Sequence, residues 1–243
     1  MMMSMMSMMM ILVGLGDLGV VQGVRGGMSK RKAPTPVPQR SVIIGDSMYW
    51  SGWLFWGGQP SPLSKDLETW AGHSIENHAL VGASLEEGWV KSIPQQYREL
   101  NKVPTITTLI MDGGGNDIIS HRSDCEGYNQ KCVSTIDQCV DIASQIFVEA
   151  GKDGITSILY LGFYYLSGLT RAVDEGNTRM KTLCHNQTDI SCYFIDPRYN
   201  ETTKTGLKTP EMLGPDGLHP NEKGYEILAR MIWDKAQEYN VTI

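Results

Sequence analysis

The chain has 243 residues, of which 41% are apolar and 20% charged, and its formal net charge is −6. That composition suits a soluble globular protein whose core is large enough to hold a rigid site. The acidic balance argues against a nucleic-acid backbone as the main partner, because phosphate binding needs a basic face.

The first ten residues contain eight of the fourteen methionines. With Ile11 to Gly16 they form an apolar stretch too short to span a bilayer. Residues 1–27 are read as a secretory signal or a non-native leader. Against the signal, no Lys or Arg precedes the stretch and Asp17 interrupts it. Residues 28–40 carry Lys30, Arg31 and Lys32, a solvated charge run, and then Pro34, Pro36 and Pro38, the mark of an extended linker. A single folded domain is expected over 41–243. Five cysteines are present: Cys125, Cys132, Cys139, Cys184 and Cys192. Close spacing suggests Cys125–Cys132 and Cys184–Cys192 as local bridges with Cys139 left over; five buried thiols are the alternative. Three Asn-x-Thr sequons lie at Asn186, Asn200 and Asn240,. Together these features favour a secreted or periplasmic protein. Initiation at Met28 would instead imply the cytoplasm.

From Ser41 onward two kinds of segment alternate. Short β-branched or apolar runs at 41–45, 75–80, 105–111, 155–162 and 192–196 predict strands. Between them lie helical patterns. One includes Asp66 to Trp70. A second covers 86–100, with Pro94 as a break or restart. A third covers 134–151, with Ile136, Val140, Ala143, Ile146, Phe147 and Ala150 on one face. The last begins after Asn221, a good N-cap, and turns Tyr225, Leu228, Met231 and Ile232 inward. No internal repeat is found. Strand–helix alternation implies right-handed crossovers and a parallel sheet covered on both faces. Such sheets carry their sites at the carboxyl ends of the strands.

Four segments fall on that rim. Gly45-Asp46-Ser47 follows the first strand and Val81-Gly82-Ala83-Ser84 the second. Asp112-Gly113-Gly114-Gly115-Asn116-Asp117 follows the third, and Asp216-Gly217-Leu218-His219-Pro220-Asn221 precedes the last helix. Each alone is an ordinary turn or loop. Together they supply a complete chemistry. A serine hydroxyl is a weak nucleophile and needs a base, for which His219 serves Ser47. The imidazole needs a carboxylate to hold its tautomer, and Asp216 lies three residues before it. The oxyanion formed on attack needs preorganised donors. The backbone N–H groups of Ser47 and Gly82 and the side-chain amide of Asn116 would converge there.

These four segments resemble the blocks of the SGNH, or GDSL, hydrolase family, whose serine, glycine, asparagine and histidine match Ser47, Gly82, Asn116 and His219. The resemblance runs from about residue 41 to 236. The first block reads Gly-Asp-Ser-Met where the family pattern has leucine, a mild departure at a position that usually packs. The resemblance implies a three-layer α/β/α, flavodoxin-like parallel sheet of about five strands. It also implies hydrolysis of esters or thioesters without metal or other cofactor, on lipids, acetylated sugars or small aryl esters. The leading expectation is therefore a serine esterase working through an acyl-serine intermediate. A carbohydrate O-deacetylase or an acyltransferase would use the same triad. An inactive binding module with this fold is the alternative from another class.

Other residues weigh less. Ser84 lacks the second glycine of a Gly-x-Ser-x-Gly elbow, and no such elbow occurs in the chain. His73, His78, His121 and His185 have no metal-ligand spacing. Tyr49, Trp50, Trp53, Phe55 and Trp56 follow the serine block, and Phe163, Tyr164 and Tyr165 follow the fourth strand. Packing explains most of them. Trp50, Trp53 and Tyr164 are the candidates for contact with a small-molecule, glycan or lipid ester. No integral membrane segment is expected.

Overall fold

The computed structural model of the protein describes residues 40–50, 61–103 and 105–243. Its sheet has five parallel strands in the order β2-β1-β3-β4-β5. They are β1 Ser41–Ile44, β2 Glu76–Asn77, β3 Thr108–Met111, β4 Ser157–Leu161 and β5 Ser191–Ile195. β1 and β3 are buried at every position, which explains their unbroken apolar sequence,. Alternate side chains enter opposite layers. Val42, Ile44, Leu109, Met111, Ile158 and Tyr160 face one core, while Ile43, Ile110, Leu159 and Leu161 face the other,.

The first core is closed by α2 (Ile93–Glu99) and α5 (Gln130–Lys152), with Met180 of α6 (Thr170–His185). The second is closed by α1 (Pro62–Ala71) and α7 (Glu222–Glu238). Two short helices, α3 (Gly115–Ser120) and α4 (Arg122–Glu126), follow β3. They pack with Cys132, Leu169 and Val173 into a third, smaller cluster. Cys125–Cys132 joins α4 to α5, and Cys184–Cys192 joins α6 to β5. Cys139 is a buried free thiol.

Three departures from the sequence-based elements have local causes. β2 shortens to two residues because Asn77 turns the chain: its Oδ1 accepts from the Ala79 N–H and its Nδ2 donates to the Tyr49 carbonyl. The helix expected over 86–100 occupies only 93–99. Its start is set by Gln95, whose Oε1 accepts from the Ser92 N–H at 2.9 Å, with Pro94 in the first turn where no N–H is required,. Helix α6 is not among the expected elements: its buried positions, Ala172, Val173, Gly176, Asn177, Met180 and Cys184, mix small and polar residues into the apolar face. The last helix starts as expected, with Asn221 Oδ1 accepting from the Gly224 N–H. Residues 1–39 lie outside the described residues, as do Trp53, Phe55 and Trp56.

Candidate active site

The chain leaves β1 through Gly45, whose φ is +146°. A side chain there would overlap the Asp112 carboxyl, so the position accepts only glycine,. Gln96 of α2 grips this residue from both sides, with Oε1 accepting from the Gly45 N–H at 2.8 Å and Nε2 donating to its carbonyl at 3.0 Å. The next turn is held by acids. The Asp46 N–H donates to Asp112 Oδ1, and Asp46 Oδ1 accepts from the Met48 N–H, both at 2.9 Å.

This turn presents Ser47 to His219. The hydroxyl Oγ lies 2.9 Å from His219 Nε2. On the other side of the ring, His219 Nδ1 lies 2.6 Å from Asp216 Oδ2. Asp216 Oδ1 accepts from the Leu218 and His219 backbone N–H groups at 3.0 Å each, so one carboxylate shapes its own loop and orients the imidazole. Burial alone would raise the Asp216 carboxyl. The hydrogen bond from His219 and the two backbone donors outweigh it and hold the group below the usual carboxylate range,.

Beside them lies the segment after β2. Asn116, second residue of α3, donates from Nδ2 to the Ala83 carbonyl at 2.8 Å, and the same nitrogen lies 3.4 Å from Asp46 Oδ2. Asp117 accepts from the Leu85 and Glu86 N–H groups at 3.0 and 2.9 Å. Block three therefore pins block two. Gly82 is exposed in a left-handed turn with φ +75°. Among the described residues, the N–H groups of Ser47 and Gly82 have no protein acceptor. Asn116 lines the same cavity as Ser47, whereas Gly82 does not.

The aromatic candidates divide. Trp50 lines an open groove of about 330 Å³ together with Ser47, Pro215, His219 and Glu222. Tyr164 is buried, and its hydroxyl donates to the Leu218 carbonyl at 2.6 Å. Its ring also lines a second, mostly apolar cavity of about 50 Å³ next to Ser47. Tyr164 therefore holds the loop that carries His219 as well as walling the site. Trp53 is outside the described residues.

Several positioning side chains escaped the sequence reading. Gln96 and Asp117 are two. Asn177 of α6 is a third: it accepts from the Phe163 N–H at 2.8 Å and donates to the Phe163 carbonyl at 2.7 Å. That pins the segment after β4 against the site. All three bond the backbone of distant residues, so only the turn composition of their targets hinted at them.

Among the described residues, no group of three or more His, Cys, Asp or Glu side chains could hold a metal ion, and no helix is long and apolar enough to cross a membrane.

The geometry agrees with known folds. The structure is similar to an acetylxylan esterase from Geobacillus stearothermophilus, with TM-score 0.60, 17% identity, and 82% of this chain and 94% of that one covered. A carbohydrate esterase family 3 protein from Talaromyces cellulolyticus superposes with TM-score 0.59 at 16% identity, covering 83% and 97%. A family two carbohydrate esterase from Clostridium thermocellum, solved with cellohexaose, gives 0.56 at 16%, covering 87% and 67%. At such identities the likeness shows the fold. No curated protein sequence matches significantly. The family model of the GDSL-like lipase/acylhydrolases matches residues 43–227. The chain belongs to the GDSL-like lipase/acylhydrolase family, a family of ester-bond hydrolases.

Proposed function

We propose that the protein is a serine esterase with Ser47 as nucleophile, His219 as base and Asp216 as the orienting carboxylate. The observation that carries this reading is the unbroken chain of contacts from Ser47 Oγ through the imidazole to Asp216 Oδ2. His219 Nε2 takes the hydroxyl proton as Oγ bonds to the ester carbon. The imidazolium then gives that proton to the leaving alcohol as the C–O bond breaks. Water attacks the acyl-Ser47 ester, losing a proton to His219. The acid departs when that proton returns to Oγ. The N–H groups of Ser47 and Gly82 and the amide of Asn116 serve the oxyanion, each such donor contributing about 2.7–4 kcal/mol in one measured hydrolase.

A more specific reading, carbohydrate O-deacetylation, is favoured by the open groove beside the serine. Trp50 and Pro215 give it apolar surface on which a sugar ring could stack,. The carbohydrate esterases that share the fold point the same way. Two disulfides support an oxidising destination outside the cytosol,. Ser47→Ala is the test. It should abolish hydrolysis of p-nitrophenyl acetate and labelling by a fluorophosphonate while the protein stays folded. Retained turnover would overturn the assignment; a wild-type protein that neither labels nor turns over would point to a binding module. Added acceptor alcohols separate hydrolase from acyltransferase.

A further inference from the structure

Two cavities adjoin Ser47 and His219. Asp216 and Glu222 line one, Asp46 and Asp112 line the other, and among the described residues neither wall contains a Lys or an Arg. We infer that the site selects its substrates by charge: it takes neutral and cationic esters and turns away esters that carry an anionic group. The inference rests on Ser47 being the nucleophile.

The two walls refuse an anion in different ways. Along the groove that holds Trp50, Asp216 is kept below the usual carboxylate range and the Glu222 side chain is exposed. Charges of one sign lining a cleft repel like-charged ligands at encounter and attract the opposite kind. Around the other cavity burial raises both Asp46 and Asp112, so these acids repel less. They share the wall with hydrocarbon from Ile118, Leu169 and Val173. An anion entering there gives up water and meets no positive partner. Either part of an ester is therefore penalised for negative charge.

The positive groups around the groove are matched or weak. When His219 becomes an imidazolium, Asp216 lies 2.6 Å from it and the pair is neutral. Beyond Trp50 a further groove carries His78 and Lys91. His78 sits 2.6 Å from Glu76, and Lys91 is paired with Glu99. Residues 51–60 follow Trp50 in the chain and contain no ionisable side chain. Glu222 stands in the first turn of α7, whose next residue, Lys223, does not line the groove. The amino end of a helix adds a partial positive charge of about half a unit, less than the full charge of a carboxylate. The acid released by ester hydrolysis is itself an anion at neutral pH, so the same sign favours its departure.

The experiment compares three acetates of one shape: acetylcholine, neutral 3,3-dimethylbutyl acetate and 2-acetoxyethanesulfonate. At about 0.01 M salt, where the screening length is about 30 Å, kcat/KM for the cation should exceed that for the anion by about tenfold, with the neutral ester between them. At about 1 M salt, where it is about 3 Å, the ratio should fall toward one. Glu222→Gln should lower the low-salt ratio by about two- to fivefold, the range for one exposed charge, and Glu222→Lys should lower it further. Comparison across salt and across variants cancels the esters' own reactivities. With the charge on the acyl side instead, p-nitrophenyl 4-sulfobutanoate should be turned over about tenfold or more slowly than p-nitrophenyl pentanoate. Anionic esters that match their counterparts at low salt, or a ratio unmoved by salt and by both Glu222 variants, overturn the inference while Ser47→Ala remains inactive. Turnover by Ser47→Ala overturns the nucleophile itself, and with it this proposal.

Discussion

The Asp46 backbone N–H donates to Asp112 Oδ1 at 2.9 Å, across 66 residues of chain, so a buried carboxyl at the end of β3 holds the turn that carries Ser47. The second oxygen of Asp112 is buried without a hydrogen-bond partner. Burial pushes the Asp112 carboxyl well above the usual carboxylate range, and the neighbouring Asp46 pushes it further. Asp46 is raised as well, by burial first, although the Met48 N–H opposes it. Burial and the neighbouring Asp46 thus both favour the neutral form of Asp112,.

This arrangement predicts a pH-dependent stability. A group whose folded pKa is raised contributes stability that is fully present below the unfolded value, about 3.9, and lost as pH rises through the folded value. Asp112→Asn mimics the neutral acid and cannot ionise. Its melting temperature should match wild type near pH 4 and exceed it increasingly toward alkaline pH. For a chain of this length about 2–4 °C corresponds to each kcal/mol. Melting curves across that range check the sign. A gap that does not change with pH would mean that Asp112 is ionised in the fold.

Tyr164 tests the difference between touching substrate and holding the base. Its hydroxyl donates to the Leu218 carbonyl, next to His219, while its ring lines the apolar cavity beside Ser47. Tyr164→Phe removes the first and keeps the second. The expected result is a fall in kcat of about tenfold to a hundredfold, from a displaced imidazole, with the acyl-length profile unaltered. The loss of one hydrogen bond should lower stability by about 1 kcal/mol. A profile that shifts while kcat on acetate holds would assign the hydroxyl to substrate contact instead.

The residues that the structure brings together at Ser47 are legible in the sequence because turns must be written in special residues. Gly45 is demanded by a backbone that leaves no room for Cβ, and Asp216 by an imidazole three residues away. The residues that brace the turns were not. Gln96 looks like any polar residue of a short helix until the fold brings it 51 residues back to Gly45. Asn177 lies on α6, whose inward face sets Gly176, Asn177 and Cys184 among Val173 and Met180. The small and polar residues dilute its apolar face, and the helix is not among the expected elements. The strands were legible for the opposite reason, since burial on both faces of β1 and β3 writes itself as an unbroken apolar run,.

Asp216 meets its loop and the imidazole of the proposed triad through different atoms. Oδ1 accepts two backbone N–H groups, and Oδ2 faces His219 Nδ1. Because its folded pKa is depressed, its contribution to stability is present above the unfolded value and lost as pH falls through the lower folded one,. The carboxylate therefore stays charged throughout the neutral range. In Asp216→Asn the amide oxygen can keep the backbone bonds, but an N–H then faces Nδ1. The imidazole must turn its lone pair to that donor and carry its proton on Nε2. Nε2 would then donate to Ser47 Oγ and could not take its proton. The variant should stay folded, with kcat reduced by about 10⁴, the loss seen when a triad carboxylate becomes an amide. Steady-state rates on p-nitrophenyl acetate, with melting curves at pH 7 as the control for folding, decide it. A variant within about tenfold of wild type would remove Asp216 from the reaction and leave it as a loop residue.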